Sequence, residues 1–210
     1  SIFRNGIRSV LPETVSLLSG PGCPVCVTTQ REIDTFIRIA GLDNVILATF
    51  GDLMRVPGTS SSLQEERAAG RDIRMVYSAD ETLKIARRHP DKRVVFPGVG
   101  FETTAPTIAA TLLSARGMGL DNLFVFSAHK LVPPALVALM ESPDVRIDGF
   151  ILPGHVSVII GAQGYEPFFQ RFRVPCTIAG FEPVDILQAV LTLVRQIEGG
   201  SPGLSNDYGR

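Results

Sequence analysis

Cysteine, net charge and long apolar runs are all scarce in this sequence, and each shortage excludes something. Three cysteines in 210 residues cannot build a disulfide framework. The natural compartment for such a chain is a reducing cytoplasm, where a close cysteine pair serves catalysis or metal binding rather than structure. A formal net charge of −1 argues against a dedicated nucleic-acid binder, which carries a basic stripe. No apolar run approaches the ~20 residues needed to cross a bilayer. Ser1-Ile2-Phe3-Arg4-Asn5-Gly6 also lacks the charged and apolar regions of a signal peptide. What is present suits a globular protein: 45% hydrophobic and 20% charged residues supply a core and exclude general disorder. At ~150 residues per domain the length allows one or two domains.

Short apolar runs alternate with helical patterns. The expected strands are Val15 to Leu18, Val45 to Thr49, Ile73 to Tyr77, Val94 to Phe96, Leu123 to Phe126, Phe150 to Leu152 and Val174 to Ala179. They are β-branched or aromatic and barely alternate, as strands buried on both faces of a parallel sheet do. Thr29-Gln30-Arg31-Glu32 reads as a capping box opening a helix that stops at Gly41. Ser78-Ala79-Asp80-Glu81 reads as another, for a helix ending at His89-Pro90. Pro106, Pro133-Pro134 and Pro183 mark three further helix starts. The alternation predicts an α/β fold with mainly parallel sheets flanked by helices.

Glycine and proline make up 35 of the 210 residues, and many lie where strands should end. Pro-Gly occurs at 21–22, 97–98 and 153–154, and Gly-Phe-Glu at 100–102 and 180–182. This echo predicts two similar lobes with a ligand cleft at the carboxyl ends of the strands, where open parallel sheets bind ligands. The expected organisation is a first lobe over 1–90 carrying the cysteine pair, a second over 91–198 whose final helix can pack back on the first, and a frayed tail over 199–210. The stretch from Arg55 to Arg71 reads as a functional or mobile loop.

The strongest chemical signal is Cys23-Pro24-Val25-Cys26. Two thiols at this spacing can cycle with a disulfide or hold a metal, and the helix start at Thr29 favours thiolate. The competing reading is two buried cysteines packed as small hydrophobes. A structural zinc site needs four ligands, and no second Cys-x-x-Cys supplies them. Cys176 reads as a core cysteine. His155, with Ser157 two residues on, and His129 each follow a strand; each is a ligand, a proton shuttle or a hydrogen-bonded turn residue. His89 reads as a helix-end cap. Asp52 and Arg55 suit an ion pair that shapes their loop, or contacts to a polar partner. Glu102 and Glu182 sit at helix starts, where the dipole alone favours a carboxylate. Gly98-Val99-Gly100 begins a dinucleotide fingerprint, but Thr103 stands where its third glycine belongs.

Five motifs occur in order: Gly20-Pro21-Gly22-Cys23-Pro24-Val25-Cys26; Thr49-Phe50-Gly51-Asp52 with Arg55-Val56-Pro57-Gly58; Gly100-Phe101-Glu102-Thr103-Thr104-Ala105-Pro106; Pro153-Gly154-His155-Val156-Ser157; and Gly180-Phe181-Glu182-Pro183. Together, over nearly the whole chain, they resemble the HypD family of nickel–iron hydrogenase maturation factors. The resemblance implies a scaffold that works with a HypC-like small chaperone and a HypE-like cyanide donor. On it an iron with two cyanides and one carbon monoxide is assembled, in a cleft between two α/β lobes. It implies that Cys23 and Cys26 form a thiol redox relay near the iron. Asp52, Arg55, Glu102, Thr103, Thr104, His155, Ser157 and Glu182 would line the cleft or a partner surface.

The family also carries a Cys-Gly-Thr-His motif, whose cysteine ligates the iron, and a C-terminal region holding a four-iron–four-sulfur cluster. Neither is in this sequence. The chain is therefore expected to be the middle of a longer protein, binding neither iron nor cluster itself. Two rival functions remain for the residues alone. One is a thioredoxin-like thiol–disulfide oxidoreductase, though the repeated strand-end turns are foreign to that fold. The other is a two-lobed small-ligand-binding module that makes no use of the cysteines.

Overall fold

The computed structural model describes residues 6–20 and 22–209. Ser1 to Asn5, Pro21 of the first expected Pro-Gly turn, and Arg210 lie outside the described residues. A single turn, α1 (Ile7–Val10), is followed by α2 (Gln30–Ala40), β1 (Val45–Thr49), a 3-10 turn (Leu53–Arg55), α3 (Leu63–Ala68), β2 (Ile73–Met75), α4 (Glu81–Arg88), β3 (Arg93–Gly98), α5 (Ala105–Gly117) and β4 (Leu123–Ser127). Then come α6 (Val132–Glu141), β5 (Phe150–Pro153), α7 (Gly154–Ile160), a second 3-10 turn (Ala162–Tyr165), α8 (Glu166–Phe172), β6 (Cys176–Ala179), α9 (Pro183–Glu198) and β7 (Leu204–Asn206). The fold is α/β, with two parallel sheets in the orders β2-β1-β3-β4 and β5-β6-β7.

The four-stranded sheet belongs to a compact unit formed by residues 21–130. Its central strand β1 is buried along its whole length. Leu47 joins Ile33, Phe36 and Ala40 of α2 and Leu63 of α3 on one face. Ile46 and Ala48 join Ala86 of α4 and Ile108 and Ala115 of α5 on the other. Two-faced burial explains why the strand reads as an unbroken apolar run. The three-stranded sheet belongs to a unit formed by residues 1–20 and 131–210. Cys176 and Ile178 of β6 pack with Leu136 of α6 and Phe168 of α8, and α9 lies against β5 and β6.

The lobe boundary expected at residue 90 is corrected by strand pairing. β3 hydrogen-bonds to β1 through Ile46↔Val94 and to β4 through Phe96↔Val125, so residues 93–127 complete the first sheet. The boundary between compact units falls at 130/131, and α9 packs on β5 and β6 of its own unit. The expected frayed tail is also corrected. β7 pairs with β6 through Cys176↔Leu204, and the Asp207 carboxylate accepts from Thr177 (3.0 Å) and Thr192 (2.7 Å).

Three local expectations change as well. Val15 to Leu18 forms no strand; Val15 and Leu17 are half-buried and Leu18 is exposed. The stretch 55–71 contains α3, opened by a capping box between Ser62 and Glu65. Ser78 caps nothing: α4 starts at Glu81, and the Thr82 hydroxyl bonds the Ala79 carbonyl at 2.5 Å.

Candidate functional site

Parallel strands put all their carboxyl ends on one edge of a sheet. In the four-stranded unit the chain steps from β1 outward to β2, then to β3 on the other side. The order therefore reverses between β1 and β3, and the turns after these two strands flank the crevice where open α/β sheets bind ligands. The turn after β1 holds Asp52 and Arg55, both exposed, around buried Leu53 and Met54. Among the described residues no ion pair joins Asp52 to Arg55, so both charges face outward. The turn after β3 holds buried Glu102 (5% exposed) and half-buried Thr103 and Thr104. The Thr104 hydroxyl donates to the Phe101 carbonyl at 3.1 Å. A side chain at Gly100 would collide with Thr104, so this tight turn needs glycine.

Cys23 and Cys26 belong to the same unit. Residues 24–27 form a turn, closed by Thr28, whose N–H donates to Val25 O (3.2 Å) and whose hydroxyl donates to Pro24 O (3.0 Å). Val25 points inward and packs on the core cluster that contains Leu53, Val99 and Ala128. The sulfurs are thereby left outside: Cys23 is half-buried, Cys26 exposed, and neither is bonded to another cysteine. The Cys26 backbone N–H donates to Cys23 Sγ at 3.3 Å. The Cys26 thiol and then this N–H lower the Cys23 pKa below the ordinary thiol value, against partial burial and the Asp52 charge. The opposing effect of Asp52 means that its carboxylate acts on Cys23. Cys26 is raised, first by sharing its proton with Cys23 and then by burial and the Cys23 charge. The pair is thus polarised, with Cys23 the more acidic of the two thiols.

The following helix is clasped to the sheet. Thr29 and Glu32 form the expected capping box. Glu32 also takes Lys130 Nζ on both carboxylate oxygens, at 2.7 and 2.9 Å. Burial would raise the Glu32 carboxyl, but Lys130 and Thr29 together hold it below its usual range. His129, just after β4, has its Nδ1 2.9 Å from the Ser127 hydroxyl, and burial lowers its pKa. Neither Glu32 nor Lys130 stood out chemically in the sequence. Glu32 was visible only as a cap, and the pair spans 98 residues, beyond any local pattern.

His155, Ser157 and Glu182 lie in the other unit, on elements that follow β5 and β6. His155 and Glu182 line an open pocket of about 400 Å³ with Gly180, Phe181 and Tyr208. The His155 and Phe181 rings meet at 4.8 Å between centroids. Tyr208, which follows β7, had no sequence signal because the tail read as frayed. Ser157 does not line this pocket. It is buried, and its hydroxyl donates to the Pro153 carbonyl at 2.9 Å. His89 is the C-cap of α4, as expected, and its ring accepts a bond from Arg74 at 2.9 Å within the Asp72 ion-pair network.

Among the described residues no group of three or more His, Cys, Asp or Glu side chains is arranged to hold a metal. Cys176 is fully buried in β6, its thiol pushed up to about 12 by burial. The cysteines present therefore do not fit an iron–sulfur cluster. No described helix is long and apolar enough to cross a membrane.

Comparison with known proteins bears on the whole of this arrangement. A family model described as "HypD: Hydrogenase formation hypA family" matches residues 1–210. The chain is 48% identical over 210 residues to "Hydrogenase maturation factor HypD" of Rhodobacter capsulatus, covering 100% of this chain. It is 49% identical over 215 aligned positions to the protein of that name in Rhizobium leguminosarum bv. viciae, covering 99% of this chain, and 46% identical over 210 residues to that of Escherichia coli K12, covering 100%. It spans 56% of the length of each of these curated relatives. With the family model matched end to end and the cysteine turn and strand-end motifs in place on a parallel α/β scaffold, this chain belongs to the HypD family.

Proposed function

We propose that this chain is the redox-bearing part of a hydrogenase maturation factor, on which an iron with two cyanides and one carbon monoxide is assembled as cargo. Cys23 and Cys26 act as the thiol relay. The observation that carries this reading is the Cys26 N–H on Cys23 Sγ at 3.3 Å, which makes one sulfur of an accessible pair the preferred thiolate. Closing the pair to a disulfide yields two electrons and two protons. One proton leaves Cys26, and the other has already left Cys23 when it is a thiolate. The electrons go to the metal-bound cargo. The HypC-like chaperone and the HypE-like cyanide donor are the expected partners, in the cytoplasm. Asp52, Arg55, Glu102, Thr103 and Thr104 shape the cargo side of the four-stranded unit. His155 and Glu182 offer a second surface on the other unit, and Ser157 supports it from beneath. A four-iron–four-sulfur cluster belongs to other parts of the complete factor, since the cysteines here do not suit it.

The test uses the complete factor, purified with its chaperone. Cys23→Ala and Cys26→Ala should each abolish hydrogenase maturation in a complemented deletion strain. Infrared cyanide and carbonyl bands on iron should appear in the wild-type complex. Normal maturation by both variants overturns the relay, and absence of the bands from the wild-type complex overturns the scaffold.

A further inference from the structure

The Cys23–Cys26 turn belongs to no strand or helix, so something must hold it still enough for one backbone N–H to face one sulfur. The connections can be followed outward. Thr28 closes the turn on Pro24 and Val25. Thr29 then caps α2, and Glu32 accepts both the Thr29 N–H (2.8 Å) and the Thr29 hydroxyl (2.9 Å). The same carboxylate receives Lys130 Nζ at 2.7 and 2.9 Å. Lys130 is anchored just past the ends of β3 and β4: its N–H donates to Gly100 O at 2.9 Å, and the Ala128 N–H donates to Gly98 O at 2.9 Å. One side chain therefore ties the carboxyl ends of β3 and β4 to the cap directly behind the cysteine turn.

We propose that Lys130 is a positioning residue for the thiol pair, its ion pair with Glu32 fixing the start of α2 so that the Cys26 N–H stays on Cys23 Sγ. This rests on the thiol reading above. Two effects act in the same direction. Without Lys130 the cap is held only by its local box, and the turn loosens. Glu32 is also left as an uncompensated anion at the helix end whose positive dipole favours a thiolate. The pair differs from an ordinary surface salt bridge, which contributes little. Its two side chains are only 30% and 22% exposed, and the lysine meets both oxygens of a carboxylate that is already fixed by the cap. The groups acting on Cys23 itself are the Cys26 thiol and N–H, the Val25 N–H and, against them, the Asp52 carboxylate.

The experiment is pulsed iodoacetamide alkylation of the reduced whole chain across pH, with each cysteine read separately by peptide mass spectrometry. Cys176, fully buried, is the internal reference for folding. Lys130→Met should slow Cys23 alkylation at pH 7 by roughly three- to tenfold, the change in thiolate fraction for a rise of about half to one pKa unit. Lys130→Arg keeps the charge and can fork onto the carboxylate, and should restore the wild-type profile. Lys130→Gln keeps a donor without charge and should shift the profile less, in the same direction. If Cys176 stays protected while the Lys130→Met and Lys130→Gln profiles overlay the wild type, the proposal is wrong. If Cys176 becomes reactive in Lys130→Met, the Lys130→Gln and Lys130→Arg profiles decide. Failure of the relay itself would show differently, as normal maturation by Cys23→Ala with these profiles unchanged.

Discussion

Cys23 and Cys26 are three residues apart, yet their sulfurs meet different surroundings. Cys23 accepts a backbone N–H and a hydrogen bond from the Cys26 thiol, whereas Cys26 keeps its own proton more firmly. At pH 7 Cys23 should therefore react with iodoacetamide faster than Cys26, although Cys26 is the more exposed, and Cys176 should react with neither speed until the protein unfolds. Equal rates for Cys23 and Cys26 would contradict the polarised pair. A second prediction concerns Asp72. Arg74 lowers its pKa most, burial opposes this, and Lys92 adds to the lowering; Arg74 bonds it at 2.8 Å and Lys92 at 3.0 Å. A depressed carboxyl contributes stability that is fully present above its unfolded pKa, about 3.9, and is lost as pH falls through the lower folded value. Asp72→Asn should therefore cost about 1 kcal/mol at pH 7, as expected for partly exposed pairs. The gap between variant and wild type in urea denaturation should close in acid, and a gap independent of pH would refute the assignment. The candidate chemistry was legible at this scale because Cys-x-x-Cys is a local pattern. Lys130 was not, because its role comes from a partner 98 residues away.

Among elements, the segment 55–71 separates local signals from tertiary ones. Its run of Gly, Thr and Ser reads as loop, and this masks Ser62-x-x-Glu65, the same capping signature that is legible at Thr29-x-x-Glu32. Ser78-x-x-Glu81 carries the signature too, yet Ser78 does not cap. Val76 and Ala79 are drawn into the core, and the helix begins later. The loop before α3 is anchored rather than mobile. Asp34 of α2 accepts the Thr59 N–H and hydroxyl at 2.7 Å each, and Gly58 N–H donates to Ser61 O at 2.7 Å. A methyl group on Gly58 would meet Ile37, lie 2.8 Å from Ser61 O and lie 2.9 Å from Asp34 Oδ1. Ile37 can shift, but a hydrogen-bonded backbone carbonyl cannot. Gly58→Ala should destabilise the unit by about 1–3 kcal/mol, the usual range for overpacking. Chemical denaturation measures it, and a stability equal to wild type would show that the loop yields.

At the scale of the whole chain, α/β class and parallel pairing were legible because strands buried on both faces leave unbroken apolar runs. Which strands share a sheet was not, since β3 joins β1 through pairs such as Val45↔Arg93, and no local pattern encodes a partner. β7 was invisible for the same reason. Leu204 is its only apolar residue, and the segment is held by remote bonds, Cys176 N–H to Gly203 O and Asp207 N–H to Ile178 O, both at 2.9 Å. The resulting division has a consequence for the thiols. Residues 21–130 form a continuous stretch with its own sheet and buried clusters on both faces, whereas the other unit is assembled from two separated segments. The groups that act on Cys23, namely Cys26, Val25 and Asp52, lie inside the continuous stretch, and so does the Glu32–Lys130 clasp. A polypeptide of residues 21–130 should therefore unfold in one cooperative thermal transition, as domains of this size with a core of their own do. Its Cys23 and Cys26 alkylation profiles across pH should match those of the whole chain. A fragment that melts without cooperativity would show that the continuous stretch depends on the rest of the chain to fold. A cooperative fragment whose Cys23 reacts like an ordinary thiol would place the control of that sulfur outside residues 21–130.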